Sequence, residues 1–403
     1  MQNLDNFVVE RAEPDNVFET LRSEWRELFA GAGCSPFLSW EWQCAWFRSF
    51  GNESEPFIIK TYRDDRLVGI LPLCLRRKKS LGVSTARLTF VGDDPGGADY
   101  LDLIARPEDR KAVMSANIEF LRANNCFDIL ALDSLDSESE LIAVLQERSN
   151  SERRLNFTCT RGAICPGIDL TGGWLAVLKQ SKRSSNFKRR LKKLEARPGS
   201  QFRSVILPSE IRGAFERFLH LHQLRWADGG SELSGNAHLI SFQQELIGSM
   251  VETGLLRFDE LWVDGECRSS IYGLDDGKTF HYYNTGYDPE WASFSVGLVI
   301  IGLSIRNAVE RGNLVYDFLR GDETYKFDWA NCSRRLVSAR LVNTTVPALA
   351  AAIAEKFTLR ARTVLKTTLP AGITESLKSV ERRLKKQYRL SGNDVAREIS
   401  GLL

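Results

Sequence analysis

Histidine and methionine are scarce, at four and three residues in a chain of 403, and no Cys-x-x-Cys pair occurs. The eight cysteines (Cys34, Cys44, Cys74, Cys126, Cys159, Cys165, Cys267, Cys332) are scattered, and the histidines supply no companion spacing. This excludes a zinc module and leaves free thiols in a reducing compartment as the expectation. Long apolar runs are also missing. The longest, around Leu298 to Ile305, is interrupted by Gly302 and Ser304 and is too short to cross a bilayer. Met1 to Asp15 is polar and acidic, with no apolar signal core, so the cytoplasm is the expected location. A net charge of only +2 excludes a globally basic nucleic-acid binder but leaves local patches open. The one glycine-rich loop, Gly92-Asp-Asp-Pro-Gly-Gly97, has no Lys, no Arg and no G-x-G-x-x-G spacing, so it is not a nucleotide loop.

What is present is an ordinary globular composition, 43% hydrophobic and 26% charged, in a chain long enough for two or three domains. The pattern repeats at half-length. Trp42, Trp46 and Phe50 sit at helical spacing, and Phe242, Leu246 and Met250 sit at the same spacing 200 positions later. A hairpin with an acidic turn follows each: Phe57 to Pro72 around Asp64-Asp65, then Leu261 to Gly273 around Asp264-Gly265. Each half then shows a helix and a strand. These are Lys111 to Asn124 with Phe127 to Leu132, and Val296 to Glu310 with Leu314 to Phe318. A shared order of four elements at a nearly fixed offset implies two copies of one α/β unit. The expected units are residues 1–175 and 201–345.

Between them, Ser181 to Arg197 carries eight basic residues against one Glu, with Phe187, Leu191 and Leu194 forming one apolar stripe. The expectation is a basic connecting helix over 176–200, ended by Pro198-Gly199. It is either a docked linker with solvated charges or a surface on which Arg183, Arg189 and Arg190 hold a phosphorylated or nucleotide-linked substrate. After Val346 the chain turns Ala-rich, then basic, reading as a helical tail over 346–403. Such a tail packs on the core or a partner, or lies peripherally on the inner membrane.

The segment Asp317 to Trp329 reads Asp-Phe-Leu-Arg-Gly-Asp-Glu-Thr-Tyr-Lys-Phe-Asp-Trp. An apolar run, Leu314-Val315-Tyr316, ends there in Asp317, Arg320, Gly321, Tyr325 and Lys326. Polar groups clustered where a strand meets a loop are where α/β enzymes place chemistry. Asp317 paired with Arg320 on a surface turn is the plainer alternative.

A longer ordered series leads up to this segment: His220-Leu-His222 with Arg225-Trp226, Leu261 to Glu266, Tyr282-Tyr283-Asn-Thr-Gly-Tyr-Asp-Pro289, and Ser295-Val296-Gly297. Together with Asp317 to Lys326, it resembles the GNAT-type acyltransferases linked to cellulose and exopolysaccharide biosynthesis, the CelD/BcsL group, and more distantly the FemAB aminoacyl transferases. The likeness covers roughly residues 15 to 345. One departure is Ser295-Val296-Gly297 where the group usually has Ser-Pro-Gly.

The resemblance implies an α/β fold of the α+β kind, with tandem GNAT-like units. Each would be a mixed, mainly antiparallel sheet flanked by helices, and the second copy would be active. It also implies acetyl-CoA or a longer acyl-CoA as co-substrate and no metal. The acceptor would be a small molecule or saccharide, such as an amino sugar or polysaccharide precursor, and membrane-associated polysaccharide machinery would be a partner. In that pattern the pyrophosphate lies at a helix N-terminus, here Ser295, Val296 and Gly297, although Ser295 reads equally as a plain N-cap. By residue type His222 or Asp317 takes the amine proton, Tyr325 protonates the leaving thiolate, and Lys326 holds an anion. Arg225, Trp226, Tyr283, Arg320 and Gly321 complete the expected substrate contacts. Asp99 and Asp102 either meet the acceptor or are turn and cap residues. Two rival readings remain: a Fem-like transferase using aminoacyl-tRNA, the one case with a nucleic-acid partner, and a non-catalytic scaffold.

Overall fold

In the computed structural model, residues 7–349 are described, except 81, 82, 153, 228, 232, 346 and 347. The chain divides into a unit Met1–Thr345 and a second unit Val346–Leu403. Nearly all of the second, and with it the expected helical tail, lies outside the described residues.

The first unit is built from two successive sets of elements in the same order. The first set is β1 (Val8–Arg11), α1 (Val17–Ala32), α2 (Trp40–Phe50), β2 (Glu55–Arg63), β3 (Arg66–Ser80), β4 (Val83–Phe90), β5 (Ile104–Ala105), α3 (Arg110–Ala123), β6 (Ile129–Asp136), α4 (Glu140–Ser151) and β7 (Leu155–Asp169). Two helices follow, α5 (Gly173–Gln180) and α6 (Ser184–Glu195), where the sequence predicts one. The second set is β8 (Gln201–Val205), α7 (Pro208–Arg225), α8 (Ala237–Met250), β9 (Leu256–Val263), β10 (Glu266–Asp275), β11 (Thr279–Tyr287), α9 (Val296–Arg311), β12 (Val315–Asp317), α10 (Thr324–Trp329) and β13 (Cys332–Asn343). The 200-residue offset is visible in the hairpins. Asp64-Asp65 turns β2 into β3 and Asp264-Gly265 turns β9 into β10, and Asp64, Asp65, Asp264 and Gly265 all have positive φ.

The fold class is the mixed α/β one expected from the sequence. The repeat did not reveal that both copies share one 13-stranded sheet, ordered β1-β2-β3-β4-β6-β13-β7-β12-β11-β10-β9-β8, with β5 beside β3. Each copy surrenders its last strand. β13, from the second set, lies against β6 of the first, and β7, from the first, lies against β12 of the second. The two exchanged strands pair with each other over Leu155–Gly167 and Cys332–Asn343. Parallel pairing occurs at two equivalent places, β4 with β6 and β11 with β12.

The apolar periodicity of the helices is spent on two cores. One lies under α1, α2, α3, α7 and α8, where the repeat-related helices α2 and α8 meet through Trp42 and Phe242 at 5.6 Å between ring centroids. The other lies under α5, α6 and α9, around Phe187, Ile300, Phe280 and Tyr316. There the Phe187 ring fills the space a side chain at Gly302 would need. α7 sits so close to β11 that a Cβ at Gly286 would lie 2.7 Å from the Leu221 carbonyl carbon and collide with the backbone nitrogen of His222. Gly286→Ala is therefore expected to destabilise the protein by about 2–3 kcal/mol through overpacking. Urea denaturation measures this, and an unchanged midpoint would contradict the close helix–strand approach.

Candidate functional site

The parallel pair β11–β12 is short. Thr279, Phe280 and His281 pair with Val315, Tyr316 and Asp317, and then β12 ends while β11 runs on to Tyr287. The six residues Tyr282 to Tyr287 therefore have no β12 partner, and the strands part into a V. In the first copy the equivalent V is filled by its own chain. The loop after β4 lies along β6, where the Leu101 amide donates to the Ser134 carbonyl.

The loop from Asp317 to Tyr325 shapes the mouth of the second V, and the first copy holds it. The Asp317 carboxylate is 2% exposed and accepts the Tyr100 hydroxyl at 2.7 Å and the Leu319 amide at 2.7 Å. Burial pushes its pKa up, against the pull of His281 and the Tyr100 bond. The Arg320 side chain donates to Asp99, the Ala98 carbonyl and, at 2.7 Å, the Ser134 hydroxyl, and the Arg320 amide donates to Asp99 at 2.7 Å. Asp99 is fully buried. Lys326 is 5% exposed, its ammonium donating to the Arg320 carbonyl at 2.8 Å and pairing with Glu323 at 3.0 Å. Gly321, with φ 146°, leaves the room that Lys326 and Glu323 occupy. The structure thus gathers Asp317, Arg320, Gly321 and Lys326 into one loop but satisfies their polar groups within the protein. Tyr283 is likewise engaged: it donates to the Gly96 carbonyl at 2.6 Å and accepts from Gln243 at 2.8 Å. Asp102 is held by Ser139 and the Leu103 amide, as a turn residue.

Tyr325 differs. Its hydroxyl lies 3.3 Å from that of Tyr282, the first β11 residue past the paired region. Burial holds the Tyr325 phenol far above its ordinary pKa, so it stays protonated. Arg225, at the end of α7, donates to the Thr285 carbonyl at 3.2 Å and stacks over Trp226 at 4.8 Å and Tyr287 at 4.9 Å. Tyr287 in turn faces Gly297, where an added Cβ would lie 3.1 Å from the ring. The open edge of β11 thus runs from the Tyr282–Tyr325 pair past Arg225 and Tyr287 to the start of α9.

At that start Ser295 is left-handed (φ 56°, ψ 46°) and its hydroxyl makes no cap bond. The first amides of a helix have no intrahelical acceptor, so the Val296 and Gly297 N–H groups stand at the positive end of the dipole without one. Positive charge is added from α6. Arg190 donates to the Ser293 carbonyl at 2.7 Å, Lys193 approaches the same oxygen at 3.5 Å, and Lys193 lies 4.3 Å from the Phe294 ring. Arg189, one residue away, points outward and bonds only Asn186 at 3.0 Å. In the first copy the equivalent helix, α3, starts at Asp109, whose buried carboxylate pairs with Arg63 at 2.6 Å. A second anion is unwelcome there.

His222 is fully buried between Phe218 and Trp226. Its Nε2 shares a 3.1 Å hydrogen bond with the Ser231 hydroxyl, and its Nδ1 has no partner among the described residues. Burial, helped by Arg225, lowers its pKa to about 4, so it is neutral at neutral pH. Ser231, partly exposed, links this ring to solvent. Ser231 and Lys193 were not among the expected site residues, whereas Arg190 was. A lone serine in a Gly-Gly-Ser loop gives no signal, and the α6 cations nearest the site emerge only once the helix phase is fixed by Phe187. Two shallow depressions, of about 200 and 230 Å³, lie elsewhere, lined respectively by Asp136, Ile164 and Arg334 and by Glu24, Asp64 and Arg106. Among the described residues, no trio of His, Cys, Asp or Glu is placed to hold a metal, and no helix is long and apolar enough to cross a membrane.

Comparison with known proteins places these features. No curated protein matches the sequence. FemX, over 84% of this chain and 98% of that one, superposes with a TM-score of 0.56 at 10% identity, which shows a shared fold. A conserved protein of unknown function from Bacteroides thetaiotaomicron VPI-5482 (TM-score 0.48, 12% identity, 83% of this chain and 99% of that) is also similar. So is a tandem GNAT protein from the clavulanic acid biosynthesis pathway (TM-score 0.40, 11% identity, 83% and 98%). Residues 181–327, from the start of the basic segment to the end of the Asp317 loop, match the model of the acetyltransferase (GNAT) domain. That match falls on the second copy, the one whose V is open.

Proposed function

We propose that the protein is an N-acyltransferase that moves an acyl group from an acyl-coenzyme A to an amine, with an amino sugar or polysaccharide precursor as acceptor. The observation that carries this is the continuity of the open β11 edge with the start of α9. The strand edge suits an extended pantetheine–thioester, and the helix-start amides of Val296 and Gly297, flanked by Arg190 and Lys193, suit a pyrophosphate. The acceptor nitrogen attacks the thioester carbon and its proton passes to solvent through Ser231 and neutral His222. The carbon–sulfur bond then breaks, and the thiolate takes its proton from Tyr325. Asp317, Arg320 and Lys326 act one step back, fixing the loop that presents Tyr325.

Calorimetry against acetyl-CoA and longer acyl-CoAs is expected to show binding, with a matching rise in melting temperature. Gly297→Val removes that rise, because the branched side chain stands between Tyr287 and the approaching phosphate, while the apo protein stays folded. Absence of a thermal shift with any acyl-CoA at millimolar concentration would overturn the proposal. Tyr325→Phe is expected to lower kcat by about 10²–10³-fold, with KM for acyl-CoA little changed. Equal kcat in the two proteins would remove Tyr325 from the reaction.

His222 also makes a pH prediction. Its folded pKa, about 4, lies below the ordinary value of 6.5. From pH 6.5 downward the unfolded chain binds a proton that the folded one refuses, so the neutral ring's contribution falls between about pH 6.5 and pH 4 and is flat above and below. The accumulated loss is about 3 kcal/mol. Urea denaturation of wild type and His222→Gln across that range measures it: their stability difference should change only inside the window. A constant difference would show that His222 takes up its proton as readily in the folded state as in the unfolded chain.

A further inference from the structure

α5 and α6 pack on each other through Trp174 and Phe187, with ring centroids 5.8 Å apart and planes at 89°. The helical period divides α6 into three stripes. Phe187, Leu191 and Leu194 face the core, and Arg190, Lys193 and Arg197 face the turn before α9. Lys188, Arg189 and Lys192 form the third stripe, and all three are exposed. Beside them, Lys179 and Lys182 are exposed at the end of α5 and in the link to α6. None of these five cations forms an ion pair among the described residues; the ion pairs of this region go to Arg183 with Asp328 and Arg197 with Asp264. Leu175, directly after Trp174 and one turn before Lys179, is 80% exposed, the highest value among the large apolar side chains of the described residues. The acidic groups nearby are Asp328 and Asp264, taken up by Arg183 and Arg197, Asp169, which accepts the Thr171 amide and hydroxyl, and Glu195 at the far end of α6.

We propose that this α5–α6 face docks the protein on an anionic lipid surface, with Leu175 entering the boundary between headgroups and acyl chains and the five cations lying over lipid phosphates. Unpaired, exposed cations concentrated on a helix pair favour anions, and a protruding leucine one turn before Lys179 favours a partner with an apolar layer beneath its charge. Nucleic acid fits less well, since single strands are held by exposed aromatic rings and the ring here, Trp174, is turned onto Phe187. The chain's own residues after 346 are themselves rich in Lys and Arg, so charge does not draw them to this face. The stripe lies away from the α9 start, which leaves acyl-CoA binding as an independent readout.

Cosedimentation of the full-length protein with phosphatidylcholine vesicles containing about one third phosphatidylglycerol tests the proposal. Partitioning should exceed that onto pure phosphatidylcholine at least tenfold and weaken as salt is raised. Each cation at the surface contributes about fivefold, so the triple variant Lys188→Glu, Arg189→Glu, Lys192→Glu should lose a hundredfold or more. Leu175→Asp should lose about tenfold at unchanged melting temperature. All four positions are exposed, so the variants should fold and keep wild-type affinity for acyl-CoA. Equal binding to neutral and anionic vesicles would overturn the proposal, as would wild-type vesicle binding by the triple variant. Tighter binding to poly(U) than to vesicles, lost in the same variants, would assign the face to nucleic acid instead.

Discussion

A fully buried carboxylate, Asp99, depends on one cation from the other half of the molecule, Arg320. Both carboxylate oxygens are used, one by the guanidinium and one by the Arg320 amide. A buried charge without its partner costs several kcal/mol, so neither residue keeps its place alone. The Arg320 side chain retains 38% exposure, so water screens the pair on one side and its loss costs less than that of a sealed pair. The same guanidinium also ties down Ala98 and Ser134, and the neighbouring Tyr100 hydroxyl anchors Asp317. The loop that leads to Tyr325 is therefore shaped by the first copy although its residues belong to the second.

This dependence explains why two copies of one unit look so unequal. In each, a parallel strand pair parts and a helix begins nearby, which makes a natural anion site. The first copy closes its own. Its glycine-rich loop lies in the V, and Asp109 with Arg63 occupies the start of α3. In the second copy β12 leaves β11 after His281, the Arg225 side chain meets the Thr285 carbonyl, and the edge leads into Ser295, Val296 and Gly297. A domain that gives up its own site gains a structural use as the wall of its neighbour's. Tyr283 bonded to Gly96 is one more point where that wall is fastened.

The sequence revealed the elements and their order, because apolar period and turn chemistry are local properties. The helix at Val296, the acidic hairpin turns and the break at Asp317 all stand where their residues predict. The strand exchange was not legible, since β7 and β13 pair through backbone groups that every residue carries. Site roles were legible by residue type but not by environment. Lys326 reads as a free cation, yet the Arg320 carbonyl and Glu323 draw it under the loop. Asp99 reads as a turn residue, because its partner lies 221 positions away. Arg189 and Arg190 are indistinguishable in a basic run, and only the helix phase turns one outward and the other toward α9.

The exchanged strands bear on how the chain is made. A ribosome delivers β6 long before β13 exists, so the edge of β6 that β13 will cover stays bare while some 190 residues are added. At ordinary elongation rates this is a wait of roughly ten seconds or more. β7 waits too, for β12. Neither copy can finish its sheet from its own residues, so a nascent first half behaves as an open template. Split genes, excised halves and circular rearrangements that separate the copies in time would each prolong that exposure. The exchange that lets one half brace the other's loop also commits both copies to folding as one event.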